Sequence, residues 1–239
     1  MIRSIYSSIS GLISQLIKKD STASNIANIN TPGYKSSRVN LANNGYGGVE
    51  VDAVEKNMTQ CPIKPTGNPL DLAIEGEGFF QVRTQNGEMA YTRNGSFKVD
   101  GKGRLVTNNG DILIPELNIP NTASNISISK NGEVFALVYG QDNSTLLGSI
   151  KITSFSNPQG LVSIDNNSFQ ATKNSGEAIE GTPGTDLFGR IISGGLEVGN
   201  VNLLEELVDD ISSSNAFKAN IEALITSNEI LGTILDIKK

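Results

Sequence analysis

The sequence predicts an α+β fold in which a helix at each end of the chain encloses an inserted antiparallel β domain. Apolar residues recur at steps of three and four at both ends, which is the spacing of an amphipathic helix. Between the ends the apolar period falls to two, as in half-buried strands. The predicted segments are an N-terminal helix over 1–33, a connector over 34–69, the β domain over 70–155, an irregular or β-containing return connector over 156–199 and a C-terminal helix over 200–239.

An apolar stripe and a stop signal define the N-terminal helix. Thr31-Pro32-Gly33 ends it, because the residue before a proline leaves the helical region and glycine favours a reversal. Serines and a glycine between the stripe positions would let other backbones approach closely. The stripe consists of Ile2, Ile5, Ile9, Leu12, Leu16, Ala23 and Ile26.

The C-terminal helix carries a longer stripe. Asn202 is the expected N-cap with Glu205 three residues on, and Lys238 and Lys239 stand at the far end, where cations suit the helix dipole. At about 1.5 Å per residue the helix would be a rod roughly 50 Å long. Its stripe consists of Leu204, Leu207, Ile211, Ser214, Phe217, Ile221, Leu224, Asn228, Leu231 and Leu235.

The middle of the chain is predicted to form a series of β-hairpins. Asn-Gly and Asp-Gly pairs accept positive φ at both central turn positions and separate the alternating runs. In the connector, 43–48 is expected to be a mobile loop and the alternation over 49–53 a short strand. The predicted strands centre on 79–82, 96–99, 111–114, 126–128, 134–138 and 150–152.

Composition excludes several kinds of active site. The chain has no histidine, which removes Ser-His-Asp and Cys-His catalysis and His-ligated zinc. The single Cys61 forms neither an internal disulfide nor a thiolate cluster. A net charge of −6 argues against nucleic acid as a partner. No cofactor or metal is therefore expected.

Neither a cleaved leader nor a membrane span is expected. Serines interrupt the apolar runs near the N-terminus before they reach the length of a leader core. The longest apolar run, over 134–139, is far too short to cross a bilayer. The sequence is thus consistent with a cytoplasmic protein, or with a protein exported by a route that does not depend on a cleaved leader.

Three polar patterns could carry chemistry, and each has a simpler structural interpretation. Gly76-Glu77-Gly78 resembles a phosphate loop, but a strand follows it rather than a helix. Asp71, Glu75 and Glu77 could include an acid and a base for sugar hydrolysis, although carboxylates at a strand entry are usually solvated. The acidic block over 205–210 could bind a cation, but it also suits the first turns of a helix. No catalytic residue is therefore assigned.

The two terminal stripes indicate assembly between copies of the chain. They are narrow and interrupted by polar residues, so pairing only with each other would bury little apolar area. We therefore expect the helices to become ordered in a coiled-coil-like tube domain built from several copies; the alternative is an ordinary helical hairpin. The predicted subunit-interface residues are Ile5, Ile9, Leu12, Leu16, Ile26, Leu204, Leu207, Ile211, Phe217, Ile221, Leu224 and Leu231.

Motifs at both ends and in the middle resemble those of bacterial flagellar rod and hook proteins. The resemblance covers nearly the whole chain, with the motifs in the family's order. The pattern is most similar to rod proteins, the distal rod first and the proximal rod second. The motifs are Met1–Tyr6, Asn25–Lys35, Thr66–Phe80, Tyr91–Phe97, Gly194–Glu197, Asn200–Val208 and Ala216–Phe217, with Asn25, Asn28, Thr31, Gly33, Gly67, Asn68, Pro69, Asn200 and Asn202 as the family-motif positions.

The resemblance implies a structural subunit rather than an enzyme. Copies would polymerise helically into the drive shaft of the flagellar basal body, with the terminal helices lining the tube and the β domain outside. Implied partners are other rod and hook proteins, the outer ring proteins that act as a bushing, and the flagellar export apparatus, which would export the chain without a cleaved leader. The assembled rod would cross the periplasm. A co-exported cell-wall hydrolase and a secreted adhesin remain alternatives from other classes.

Overall fold

The computed structural model of the protein describes residues 2–45, 47–138, 143–164, 167–185 and 187–237. It confirms an α+β fold with antiparallel strands between two terminal helices, α1 (Ile2–Ala27) and α2 (Leu203–Ile237). Tyr46 in the expected mobile loop, and Lys238 and Lys239 at the expected helix end, lie outside the described residues.

The strands run along the chain between the helices. They are β1 (Ser37–Asn43), β2 (Val49–Lys56), β3 (Ile63–Pro65), β4 (Leu72–Glu75), β5 (Phe79–Arg83), β6 (Met89–Thr92), β7 (Phe97–Val99), β8 (Leu105–Thr107), β9 (Ile112–Ile114), β10 (Ala123–Ile128), β11 (Glu133–Val138), β12 (Thr145–Ser149), β13 (Ile152–Ser154), β14 (Val162–Ile164), β15 (Ser168–Gln170), β16 (Ile179–Gly181), β17 (Arg190–Ser193) and β18 (Gly195–Glu197).

Two compact units share these elements. Unit 1 contains residues 1–29, 36–57 and 201–239, and unit 2 contains residues 30–35 and 58–200. In unit 1, α1 and α2 lie alongside each other, and the antiparallel β1–β2 hairpin contacts α1. Ser14 Oγ donates to the Val49 carbonyl over 3.4 Å, which joins α1 to β2.

The structure differs from the sequence prediction at the first connector and adds strand pairings at the second. The segment 34–69 was expected to be largely irregular, with one short strand over 49–53. Instead, most of it forms the β1–β2 hairpin of unit 1, because alternate side chains of both strands are sheltered in that unit. The segment 156–199 was expected to be an irregular or β-containing return connector, and its strands pair with earlier ones: β15 with β6, β17 with β4, and β18 with β3. Strands of three or four residues are too short to show an alternating pattern.

Unit 2 is built around an antiparallel sheet in the strand order β14-β15-β6-β5-β9-β8-β7, with β13 paired to both β5 and β16. A smaller sheet joins β10, β11 and β12. The apolar core contains Leu72, Ile74, Phe80, Val82, Phe97, Leu113, Val134, Ile150 and Ile152. A second buried cluster joins Phe79, Tyr91, Phe155, Leu161 and Phe169.

The N-terminal helix is shorter than predicted. It ends at Ala27 rather than near residue 33, because Asn28 closes its last turn: the backbone and side-chain amides of Asn28 both donate to the Ser24 carbonyl. Gly33 adopts a φ of 66°, which glycine tolerates better than other residues. Neither helix, over its described residues, combines the length and the apolarity needed to span a bilayer.

Candidate assembly surfaces

Polar contacts join the two helices of unit 1, and they run antiparallel. Residues early in α1 meet residues late in α2, and the order reverses toward the other end. Most of these contacts are partly or wholly exposed, so each contributes little stability. The contacts are Ser4 Oγ to Ser227 Oγ at 3.2 Å, Lys18 Nζ to Asp209 Oδ1 at 2.9 Å, Lys19 Nζ to Ser214 Oγ at 2.7 Å and Asn25 Nδ2 to Glu206 Oε1 at 2.7 Å.

Among the helix side chains that the structure describes, the buried ones are small or polar. In α1 they are Ser8, Gly11, Ser14, Thr22 and Asn25, and in α2 the buried residue is Ser213. A Cβ added at Gly11 would come within 2.8 Å of Asn220 Oδ1, so the two helices approach closely there. Close contact between small side chains packs the helices together but removes little apolar area from water.

Large apolar side chains of both helices remain exposed. Leu204 is 74% exposed, Tyr6 67% and Ile211 61%. We call these positions the outward rows. They comprise Tyr6, Ile9, Ile13 and Leu16 on α1, and Leu203, Leu204, Leu207, Val208 and Ile211 on the first turns of α2. Apolar rows of this kind mark interaction surfaces.

The structure separates the predicted interface residues into two groups. Ile9, Leu16, Leu204, Leu207 and Ile211 lie in the outward rows, and Ile221 is also exposed. The predicted α2 stripe averages fewer than 3.6 residues per step, so it winds around the helix instead of following one face. The remaining predicted residues are half-buried: Ile5, Leu12, Ile26, Phe217, Leu224 and Leu231.

Sequence reasoning missed several exposed apolar residues because they lie beside the stripes. Leu203 and Val208 adjoin stripe positions, and together with Leu204 and Leu207 they form a continuous apolar band. A count of apolar residues on all faces of the helix, instead of along one stripe, would have found them. The residues missed are Tyr6, Ile13, Leu203, Val208, Ile225, Ile230 and Ile234.

Asn25 joins three elements of unit 1. Its Nδ2 donates to the Ser37 carbonyl at 2.9 Å and to Glu206 Oε1 at 2.7 Å, and its Oδ1 accepts from the Ser37 amide at 2.9 Å. This predicted motif residue therefore holds α1, β1 and α2 together. Burial raises the pKa of Glu206, while hydrogen bonds from Asn25 and Thr22 oppose that rise.

The other family-motif residues shape turns and helix ends. The Thr31 carbonyl accepts from the Tyr34 amide at 3.2 Å. Asn202 is the N-cap of α2, since its Oδ1 accepts from the Leu204 amide at 3.2 Å. The Asn200 amide donates to the Tyr34 carbonyl at 3.2 Å within unit 2.

Gly67, Asn68 and Pro69 form the turn that leads into β4. Gly67 adopts a φ of 77°, and its amide donates to the Gly194 carbonyl. Asn68 Nδ2 donates to Asp71 Oδ1 at 3.1 Å, and the Pro69 carbonyl accepts from Ser193 Oγ at 2.8 Å. These bonds tie the start of the β region to the strands that return from it.

A buried charged cluster lies in unit 2. Glu197 and Lys35 have fully buried side chains, with Lys35 Nζ 2.7 Å from Glu197 Oε1. Arg93 Nη1 lies 3.5 Å from Glu197 Oε2, and its guanidinium stands 5.2 Å from the Phe79 ring centre. Burial lowers the pKa of both Lys35 and Arg93, and Glu197 opposes each shift. Each charged residue belongs to a motif quoted above, but spacing in the chain gave no sign that they meet.

The carboxylates considered for catalysis have structural partners. Asp71 accepts from Asn68, and Glu75 Oε2 pairs with Arg190 Nε at 2.5 Å, which lowers the pKa of Glu75. Glu75 and Glu77 line an open groove of about 790 Å³. Among the residues that the structure describes, no three Cys, Asp or Glu side chains converge as a metal site would require.

Comparison with known proteins matches the chain over both ends and the middle. Residues 5–35 match the family described as flagella basal body rod protein. Residues 73–136 match the flagellar hook protein FlgE/F/G D1 domain, and residues 192–237 match the flagellar basal body rod FlgEFG protein C-terminal family.

Individual relatives align over nearly their full length. The chain is 37% identical to the flagellar basal-body rod protein FlgG of Buchnera aphidicola subsp. Acyrthosiphon pisum, over 97% of this chain and 98% of that protein. It is 34% identical to FlgG of Borreliella burgdorferi and 33% identical to FlgG of Bacillus subtilis, each over 100% of both chains. The chain therefore belongs to the flagellar basal-body rod protein family and is a structural subunit of the distal rod in the bacterial flagellar basal body, not an enzyme.

Proposed function

We propose that copies of this chain polymerise helically into the drive shaft that transmits torque from motor to hook. The outward rows of α1 and α2 pack against neighbouring copies and form the wall of a coiled-coil-like tube. The observation that carries the proposal is the polarity of the helix pair: large apolar side chains are exposed on both helices, while the buried positions among the described side chains are small or polar.

Burial energies support assembly through these rows. Burying an exposed Leu, Ile or Val side chain contributes about 1.5–3 kcal/mol, so several such residues outweigh the contribution of exposed ion pairs between the helices. The two rows differ in residues and lie on different helices, so a contact between them would be heterologous. Heterologous contacts that do not close into a ring generate open helical filaments.

The proposal extends to partners and location. The shaft joins other rod and hook proteins, passes through the outer ring proteins and crosses the periplasm. The flagellar export apparatus delivers the chain to the shaft. Support comes from family membership and from the uncharged stretch over 4–17, which presents apolar and small side chains rather than a charged face. The net charge of −6 favours neither nucleic acid nor an anionic membrane as a partner.

A matched pair of substitutions tests the proposal. Leu204 in α2 and Leu187 in unit 2 are both 74% exposed, so Leu204→Asp and Leu187→Asp make the same chemical change on different surfaces. Aspartate in the first turn of a helix is favourable, so Leu204→Asp should leave α2 folded. We expect Leu204→Asp cells to export the subunit but to lack complete rods and motility, while Leu187→Asp cells swim.

Leu207→Asp and Ile221→Asp extend the test along α2. Each should abolish motility and leave export of the monomer intact. Normal swimming and full-length rods in all three α2 variants would contradict assembly through this surface. Electron micrographs of isolated basal bodies provide the measurement.

A further inference from the structure

The chain passes between unit 1 and unit 2 after residues 29, 35, 57 and 200. We infer that the buried charged cluster is a clamp that ties together, within unit 2, the segments beside these passages. The linker clamp consists of Gly33, Lys35, Thr59, Cys61, Arg93, Glu197 and Asn200. This inference rests on the proposed function, because it assigns a mechanical role to the segments that connect the helices to the β-rich unit.

Glu197 is the centre of the clamp. Its Oε1 accepts from Lys35 Nζ at 2.7 Å and from the Cys61 amide at 2.9 Å. Its Oε2 faces Arg93 Nη1 at 3.5 Å, and its backbone carbonyl accepts from the Gly33 amide at 2.8 Å. One residue near the end of unit 2 therefore binds two other linking segments and the β region.

Further bonds close the network without Glu197. Lys35 Nζ also donates to the Thr59 carbonyl at 2.7 Å. The Asn200 amide donates to the Tyr34 carbonyl at 3.2 Å, and Asn200 Nδ2 lies 3.4 Å from Thr59 Oγ1. The segments 33–35, 59–61 and 197–200 are thus linked pairwise, and none can shift alone without breaking a hydrogen bond.

The chemistry of the clamp favours fixed geometry over simple stability. Apolar residues of similar size can stabilise a buried site as well as an ion pair does, whereas buried charges demand particular partners. Arg93 is also held by the Gly76 carbonyl, which accepts from Nη2 at 2.9 Å. A Cβ at Gly33 would lie 2.5 Å from the backbone carbonyl carbon of Arg93, so only glycine fits at this position of the first segment.

A clamp of this kind suits a shaft under load. The linking segments connect the helices of unit 1 to unit 2, so torque on the helices acts on these segments. With the segments tied to one another, load on one is shared by the rest. Without the Glu197 carboxylate the segments would be held only by the remaining hydrogen bonds, so load would be shared less evenly.

Hydrogen exchange in the full-length monomer tests the clamp at the amides that donate into it. In Glu197→Gln, the buried cations Lys35 and Arg93 lose their counter-charge. We expect exchange at the Gly33, Cys61 and Asn200 amides to accelerate by more than about tenfold, with exchange in β5 unchanged. Glu75→Gln is the matched control, because it removes the carboxylate of an exposed ion pair in the same unit. It should leave the three clamp amides unchanged.

Cells carrying Glu197→Gln provide a second readout. Their basal bodies should contain rods of normal length, yet their swimming should fall below that of Glu75→Gln cells in a viscous medium. If the wild-type chain formed no shaft, the proposed function would be wrong. The exchange experiment uses monomers, so it would still test the clamp in that case.

Two results would overturn the clamp. One is unchanged exchange at the three amides in Glu197→Gln, and the other is equal acceleration throughout unit 2, which would make Glu197 a general stabiliser. Should Glu197→Gln fail to fold, Lys35→Met leaves Glu197 paired with Arg93 and should accelerate exchange at the same amides by a smaller factor. Uniform acceleration in Lys35→Met would contradict the inference equally.

Discussion

The two units place their apolar residues in opposite ways. Unit 2 encloses them: Phe80 and Ile152 are fully buried beneath paired strands. Unit 1 exposes them: its helices meet through small and polar residues and leave Leu204 and Ile211 exposed. Unit 2 therefore has a complete core within one chain, whereas we propose that the helix pair of unit 1 completes its core when neighbouring copies cover its outward rows.

The energies follow the same division. A buried Leu, Ile or Phe contributes about 1.5–3 kcal/mol, and unit 2 contains many such residues. The ion pairs along the helices are exposed, so each contributes about 0–1 kcal/mol. We expect unit 1 to be the less stable unit in an isolated chain.

The largest contrast is expected between two deletions of apolar side chains. Phe80 is fully buried with its ring edge-on to Phe97 at 5.3 Å, so Phe80→Ala should destabilise unit 2 by about 3–5 kcal/mol. Ile211→Ala removes an exposed side chain and should change the stability of the monomer by less than about 0.5 kcal/mol. Urea titration of dilute protein measures both. Ile211→Ala should instead weaken assembly of the shaft. A decrease of more than about 2 kcal/mol in the stability of the monomer would contradict our interpretation of the outward rows as exposed assembly surfaces.

An intermediate effect is expected at Asn25. Asn25→Ala removes three hydrogen bonds that join α1, β1 and α2 and leaves buried partners unsatisfied, so unit 1 should lose about 1–3 kcal/mol. Asn215→Ala on the exposed side of α2 is the control and should have little effect. The helix signal in circular dichroism, followed against temperature, reports on unit 1. Equal melting of the two variants would show that Asn25 does not hold the helix pair.

The smallest effect concerns pH. Burial raises the pKa of Glu206 above its ordinary value of 4.5, so folded unit 1 binds this proton more tightly than the unfolded chain does. The contribution of Glu206 to stability is therefore complete below the ordinary pKa and is lost as pH rises through the raised pKa.

Glu206→Gln removes this dependence while keeping an acceptor for Asn25. The stability of wild type minus that of the variant should be higher near about pH 4 than near about pH 7. Thermal melting at the two pH values measures the difference. A difference that rises with pH would mean that the hydrogen bonds to Glu206 outweigh the cost of burying it.

Much of the fold could be predicted from the sequence because its signals are local. The steps of three and four specify the helices, Asn202 caps α2 as predicted, and the alternating runs became strands. The β1–β2 hairpin joins neighbours in the chain, and the sequence indicated only its second strand. The pairing of β15 with β6, of β17 with β4 and of β18 with β3 could not be predicted, since these strands are short and their partners lie far away in the chain. Long-range pairing decides such segments, and local pattern does not.

The candidate surfaces could be predicted only in part. Periodicity identified Leu204, Leu207 and Ile211 but assigned them to the same stripe as Phe217 and Leu224, which the structure leaves half-buried. The charged cluster was missed altogether. Lys35, Arg93 and Glu197 come from motifs more than fifty residues apart, and only the folded chain shows that they pair.

The most direct test compares the unfolding of the two units in one dilute sample. Far-ultraviolet circular dichroism follows the helices of unit 1, and near-ultraviolet circular dichroism follows the packed aromatic rings of Phe79, Tyr91, Phe155 and Phe169 in unit 2. We predict that the helix signal of the monomer disappears at a lower urea concentration than the aromatic signal, and that the helix signal of assembled shafts persists at that concentration. Coincident transitions in the monomer would contradict the claim that the helix pair completes its core only against other copies.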